Sequence, residues 1–436
     1  MTKHMRNTSR LRMRAMMAGC TALIAVPSLA FAQAEQTPVV LDEIKVQAED
    51  DAQTLVASEV TSGSGLATDV LDTAATVSVV TSREIQQRGA QNIEQVLNYT
   101  AAVVTDYYGA DSRFDYFRIR GFDSYTYRDG LRVGAPFGGL REEPYAFERV
   151  EVVKGGNSTT FGISDPGGSV NFVTKTPKQG QHGEAYVSVG SYNKKEVGFD
   201  FGDDLNEEGT LAYRLVGLAR DADAEWDFSR DDETYLAASI AWRPTAMTSL
   251  VFALDNLNRD GVPGGGGHPQ GTDYDSGRYF GEPSFNYRGV DRTTASLMFD
   301  HEFDNCLQLG VSARYTDSAS DFGYIYLDDR ANPGGPDIDR ALFANDSSGE
   351  DLVLNANLQY DATFGTVKSR TLVGVEYSDS TDFSTSWWGP VNPYNEATFT
   401  YGAGTYSLDG LAPYRAQRTD QSTKSLYLQE ELTFDD

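Results

Sequence analysis

Cysteine is nearly absent from this chain: Cys20 and Cys306 are the only two in 436 residues. Cys20 falls in an N-terminal leader, so Cys306 stands alone once the leader is gone, and an internal disulfide framework is excluded. Histidine is almost as scarce; His4, His182, His268 and His301 are too scattered for a metal-ligand set. Positive charge is also short. Against 64 Asp and Glu stand 36 Lys and Arg, a net charge of −28. That balance excludes nucleic acid as a partner, because phosphate binding takes a basic face. Beyond the leader no run of about 18 apolar residues could form a membrane helix. Catalytic signatures are missing as well: there is no Gly-x-Ser-x-Gly elbow and no paired-histidine helix. The glycine segment after Gly155 lacks the Gly-Lys-Ser/Thr ending of a phosphate loop. An enzyme is not expected.

What is plentiful is glycine (42), tyrosine (24) and phenylalanine (22). Such a chain can still cross a membrane as a barrel, where only alternate residues meet lipid. Met1–Arg14 is basic, Ala15–Ala32 is apolar, and Ala30-Phe31-Ala32 is a small-x-small cleavage pattern. Residues 1–32 read as a signal peptide, cut after Ala32 or Ala34. Residues 33–68 are polar, acidic and flexible in expectation. One β-forming island, Leu41 to Ala48, interrupts them and could add as a strand to a partner's sheet edge.

Residues 69–178 read as an α/β unit. Thr76–Val80 predicts a strand, Thr81 or Ser82 a helix cap, Gly89 a stop, and Gln91 or Asn92 a second helix start. Tyr116–Arg120 alternates as a strand, and Asp129-Gly130 marks a tight hairpin. The unit closes on Tyr145–Pro177, where two strands, Val150–Val153 and Val170–Thr174, flank a glycine-rich connection. From 179 to 436 the period becomes two. Strands are expected near 183–190, 194–202, 210–220, 233–243, 247–257, 292–303, 306–316, 351–361, 367–381 and 420–433. Short connections alternate with long ones, which places turns at one end and loops at the other, as in outer-membrane barrels. About ten strands would close too narrow a barrel to hold a separate domain, whereas plugged barrels need about 22. The expectation is therefore the N-terminal part of an incomplete barrel.

Six motifs carry a family resemblance. They are Leu41–Ala48; Thr76–Thr81; Phe117-Arg118-Ile119-Arg120-Gly121-Phe122; Asp129-Gly130-Leu131; Glu148-Arg149-Val150-Glu151-Val152-Val153-Lys154-Gly155; and Asp165-Pro166-Gly167-Gly168 running on to Pro177. In this order they resemble the TonB-dependent siderophore receptors of Gram-negative outer membranes. One departure is Gly156-Asn157, where the family has a proline. The resemblance implies an α+β plug domain inside an antiparallel transmembrane β-barrel, with about ten strands present of an expected 22. It implies uptake of ferric iron as a siderophore chelate, with no covalently bound cofactor and no metal site of its own. TonB and its inner-membrane energising complex would be partners, as would outer-membrane lipid and lipopolysaccharide. The runner-up is a TonB-dependent transporter of cobalamin, haem or a glycan.

By the same resemblance Asp42, Glu43, Ile44, Lys45, Val46, Gln47 and Ala48 would be the TonB box. Arg118, Arg120, Glu148, Arg149, Glu151 and Lys154 would make charged contacts within the plug or to the barrel. Gly121, Asp129, Gly130, Gly155, Gly167 and Gly168 would set its turns and close approaches. For the ligand, aromatic faces and arginines suit a chelate rich in oxygen. The candidates are Tyr107, Tyr108, Arg113, Phe114, Tyr116, Tyr125 and Tyr127 on plug loops, with Trp387 and Trp388 on an outer loop.

Overall fold

The computed structural model describes residues 54–62, 68–107, 114–134, 141–156, 165–264, 273–275, 277–303, 306–328, 336–395, 397–402, 404 and 406–434. All lie within one compact unit, Glu43–Asp436. The leader, residues 42–48, Tyr108 and Arg113 fall outside the described residues.

The chain enters through a two-stranded pair, β1 (Glu59–Val60) and β2 (Thr68–Asp69). β3 (Thr76–Thr81) leads into α1 (Ser82–Arg88). The Thr81 side chain accepts from Glu84 N, and Gly89 ends the helix at φ 63. Asn92 caps α2 (Ile93–Leu97) by accepting from Gln95 N. These are the caps that the sequence chemistry requires. β4 (Val103–Thr105), β5 (Phe117–Ile119) and β6 (Phe122–Asp123) make a small sheet. β7 (Tyr125–Arg128) and β8 (Leu131–Gly134) make a hairpin, with Asp129 and Gly130 at φ 52 and 77. Both values are positive, as a two-residue turn matched to strand twist demands.

The Tyr145–Pro177 stretch forms the middle of the larger plug sheet. Its strands β9 (Phe147–Lys154) and β10 (Gly168–Thr174) pair antiparallel, and the order is β3-β9-β10-β7-β8. A Cβ on Gly167 would stand 2.2 Å from the Ile119 carbonyl oxygen, and one on Gly168 2.1 Å from that of Val153. The glycine pair thus lets β5 and β9 close in on β10. Asp129 locks the hairpin to the same strand by accepting from Thr174 N (2.8 Å) and Thr174 Oγ1 (2.6 Å). Gly130→Ala meets no neighbouring atom but forces a side chain to positive φ. It is expected to cost about 1–2 kcal/mol of plug stability, read as a lower denaturant midpoint.

The rest is one ten-stranded antiparallel sheet in sequential order. Its strands are β11 (His182–Val189), β12 (Lys195–Asp204), β13 (Leu211–Asp221), β14 (Arg230–Thr245), β15 (Thr248–Val262), β16 (Tyr287–Phe303), β17 (Leu307–Leu327), β18 (Ile338–Phe364), β19 (Val367–Tyr394) and β20 (Arg415–Phe434). One face packs on the plug: Val216, Leu218, Tyr235 and Leu257 join the core of Ile93, Leu97, Ile119, Phe147 and Phe172. The other face exposes Leu236, Ile240, Trp242, Phe252, Leu254, Leu354, Leu358, Tyr360, Val373 and Val375. An apolar belt of this extent suits hydrocarbon rather than water.

All ten expected strands are present, but the later ones are far longer. β18 and β19 reach 27 and 28 residues, against 11 and 15 expected. Much of what reads as loop between Asp317 and Glu350 is paired strand, leaving 328–337 as the connection. Tyr235 faces the plug and is 2 % exposed.

Candidate functional site

Charge holds the plug against the sheet. Arg128, at the end of β7, donates to Thr174 Oγ1 (2.9 Å) and pairs with Asp255 of β15 at 2.7 Å. Glu142, just before β9, takes a two-pronged pair from Arg292 of β16 at 2.6 and 2.9 Å. Burial alone would raise the Glu142 carboxyl, but Arg292 and Arg128 outweigh it and hold it below the usual range. Next to it, Glu143 accepts from Tyr145 N at 2.9 Å. Burial and the neighbouring Glu233 carboxylate push the Glu143 carboxyl up. Glu148 pairs with Arg214 of β13 and with Lys178, while Lys175 reaches Asp200 of β12 at 2.9 Å. Arg314 of β17 donates to the Leu131 carbonyl at 2.9 Å. All these side chains are under 10 % exposed. Buried pairs of this kind specify one seating, and breaking one side is costly.

Of the six charged residues expected to make contacts within the plug or to the barrel, Glu148 pairs with the wall and others pair within the plug. Arg149 pairs with Glu151 within β9 at 2.7 Å, and Arg118 with Asp123 at 2.8 Å. Lys154 donates to Ser78 Oγ at 2.7 Å, and Arg120 is exposed beside Gly155. Arg128, Glu142, Glu143 and Lys175 also reach the wall and were missed. A readable signal existed on the wall: Arg214, Arg292 and Arg314 each occupy the polar phase of an alternating strand. Glu151 instead anchors the entering chain, accepting from Ser62 N at 3.1 Å and from Thr61 Oγ1. Burial acts to raise its carboxyl, but Arg149 and these donors hold it low.

At the plug apex the aromatics form a small cluster. Tyr107 and Phe114 meet Tyr116 edge-on at 5.8 and 5.7 Å, and the Arg118 guanidinium lies 4.6 Å from the Tyr107 ring centre. Tyr116 and Tyr127 are buried, at 2 % and 1 % exposed. They therefore pack the plug, leaving Tyr107, Phe114 and Tyr125 with accessible surface. Under the cluster, Glu94 accepts from Tyr116 N at 2.8 Å and faces Arg141 at 3.7 Å, while Arg141 pairs with Asp115 at 3.2 Å. Burial pushes the Glu94 carboxyl up to about 8; Arg141 opposes this, and Asp115 and Asp106 add to it. A folded value above the unfolded one means the contribution is intact below about pH 4 and is lost as pH rises toward 8. Glu94→Gln keeps the acceptor for Tyr116 N. It is expected to slow amide exchange in residues 93–119 at pH 8 and to leave it unchanged at pH 5.

Above the plug, the sheet face that carries Arg314 continues in register to Leu327 of β17, Arg340 of β18 and Val391 of β19. Phe322, Tyr324 and Tyr326 of β17, Phe343 of β18 and Trp388 of β19 lie on it. Tyr324 stacks on Tyr326 at 4.6 Å and meets Phe322 at a tilt at 4.9 Å, and Trp388 Nε1 donates to Tyr326 Oη at 3.3 Å. Alternation separates the two expected tryptophans: Trp388 is on this inner face, while Trp387 is on the opposite one, packed with Phe285, Ile325 and Leu342. Outer-loop aromatics such as Tyr279, Phe280 and Tyr394 are buried among themselves. Arg340 ties those loops together by donating to Asn392 Oδ1 at 3.0 Å and to Tyr406 Oη at 3.2 Å. They brace loops rather than face a ligand. Sequence reading missed Phe322, Tyr324, Tyr326 and Phe343; the signal was the alternation Phe-x-Tyr-x-Tyr continuing in phase from Arg314.

Residues 69–169 match the TonB-dependent receptor plug domain, and residues 240–436 the TonB dependent receptor-like β-barrel. The chain is 32% identical over 393 residues to the ferrioxamine receptor of Yersinia enterocolitica, covering 83% of this chain and 53% of that protein. It is 26% identical over 427 residues to the ferrichrome outer membrane transporter/phage receptor of Escherichia coli, covering 88% and 56%. The ferripyoverdine receptor of the Pseudomonas aeruginosa outer membrane, solved with ferripyoverdine, superposes with a TM-score of 0.77 at 17% identity, covering 89% and 53%. The chain spans about half the length of the relatives it matches.

Proposed function

The chain belongs to the TonB-dependent receptor family, and we propose that it forms the plug and first strands of an outer-membrane receptor that actively imports a ferric siderophore. The observation that carries this reading is a folded plug seated by buried ion pairs on a sheet with an apolar outer belt. That arrangement closes a pore at rest while leaving a movable stopper. Ferric iron is the cargo, held in its chelate. The segment 33–68 would present residues 42–48 to TonB, the plug would occupy 69–178, and 179–436 would supply barrel strands in lipid and lipopolysaccharide after removal of the leader. The named relatives carry iron chelates, which favours this over cobalamin, haem or a glycan.

The test is uptake of radiolabelled ferric siderophores by a receptor-deletion strain carrying the full-length gene. The expected result is accumulation of at least one chelate that a protonophore abolishes. Equal uptake in energised and de-energised cells would reject active import, and no uptake of any would reject the reading.

A further inference from the structure

The inner face above the plug has a chemical character that selects among iron chelates, a question that presupposes the reading of the chain as a ferric-chelate receptor. Positions alternating outward from Arg314 place hydroxyls and amides next: Ser318 and Ser320 on β17, Asn345 and Ser347 on β18, Ser384 and Ser386 on β19. They are mutually organised, since Asn345 Nδ2 donates to Ser384 Oγ at 2.9 Å and to Ser386 Oγ at 2.8 Å. The five aromatics from Phe322 to Trp388 stand above them.

Charge is sparse on this face. Among its described residues outward of Arg314 on β17 to β20, the ionisable side chains in this phase are Asp339, Asp351, Asp382 and Arg415. Asp351 is answered by Arg314 at 3.6 Å. Asp382 is exposed, and its carboxylate lies over the open backbone of Gly349, close to Ser318 Oγ. At the level of the plug apex Arg118 pairs with Asp123, Arg141 with Asp115 and Arg259 with Glu233.

We propose that this wall takes a ferric chelate of zero or positive net charge, of the trihydroxamate class, with Asp382 as the counter-charge for a cationic substituent. Three hydroxamates neutralise the ferric ion, so the complex needs no cationic site. Its oxygens accept from phenol, indole, serine and asparagine donors, and its apolar linkers lie on aromatic faces. A tris-catecholate trianion would enter a face with three carboxylates and one arginine, losing the charge-assisted bonds its affinity needs. An ammonium-bearing chelate gains twice, from Asp382 and from the ring faces.

The experiment measures binding to the full-length receptor in detergent by quenching of tryptophan fluorescence. The probes are ferrioxamine B, a hydroxamate chelate with a free ammonium, neutral ferrichrome, and a ferric tris-catecholate. The two hydroxamates are expected to bind at least tenfold tighter than the trianion. Asp382→Asn should weaken ferrioxamine B about threefold to tenfold and leave ferrichrome unchanged, whereas Tyr324→Ala with Tyr326→Ala should weaken both. Equal or tighter binding of the tris-catecholate, or equal loss of both hydroxamates in Asp382→Asn, would overturn this inference and leave the receptor reading standing. Binding of none of the three would remove both.

Discussion

A receptor carrying Ile44→Pro is expected to bind its ferric chelate with unchanged affinity and to accumulate none of it. Proline removes a backbone donor and fixes φ, so a segment that pairs by strand addition loses a ladder bond and meets a clash at its centre. Binding should survive, because the residues proposed to meet the chelate lie on β17 to β19 and at the plug apex. The fold shows where a pull on that segment would arrive. The Thr54 carbonyl accepts from Thr81 Oγ1 at 2.7 Å, and Thr81 is also the cap of α1. A few residues on, Thr61 and Ser62 hold Glu151 in the middle strand of the plug sheet. Force on the arm therefore reaches a helix cap and a buried carboxylate of the plug sheet. Iron accumulation by Ile44→Pro cells at the wild-type rate would remove residues 42–48 from coupling.

Legibility in the sequence followed the physics of each region. The caps at Thr81 and Asn92, the stop at Gly89 and the Asp129-Gly130 turn are local chemistry, and all are where the residues put them. Strand number was legible because lipid forces alternation. Strand length was not. Beyond the apolar belt the outward positions of β17 and β18 become Asp317, Asp321, Asp346 and Glu350, so the hydrophobic period ends while backbone pairing continues. The plug–wall contacts were hidden for another reason. Arg141-Glu142-Glu143 has the composition of a solvated charge run, and only the partners on β15 and β16 make it an interior. Trp387 and Trp388 look like one feature in sequence, yet adjacent residues on a strand must face apart.

Removing one side of the Glu142–Arg292 pair is expected to loosen the plug by about 3–5 kcal/mol, the second large effect. Both side chains are 3 % exposed, and the pair is bidentate. Glu142→Ala leaves the Arg292 guanidinium with Asp255 at 3.9 Å, and Asp255 is already engaged by Arg128 at 2.7 Å. The charge cannot reach water, so its desolvation goes uncompensated. Replacing both partners, as Glu142→Met with Arg292→Met, should restore most of the loss, because a well-packed apolar pair of similar volume avoids that desolvation. Amide exchange in Phe147–Lys154 and Tyr125–Arg128 reports the plug directly, and cellular sensitivity to large antibiotics reports the leak that a loosened stopper permits. The cycle separates seating from mere contact: a loss under about 1 kcal/mol in the single variants is what exposed pairs show and would mean that water reaches this interface. A double variant as loose as either single one would place the stability in the geometry of the pair itself.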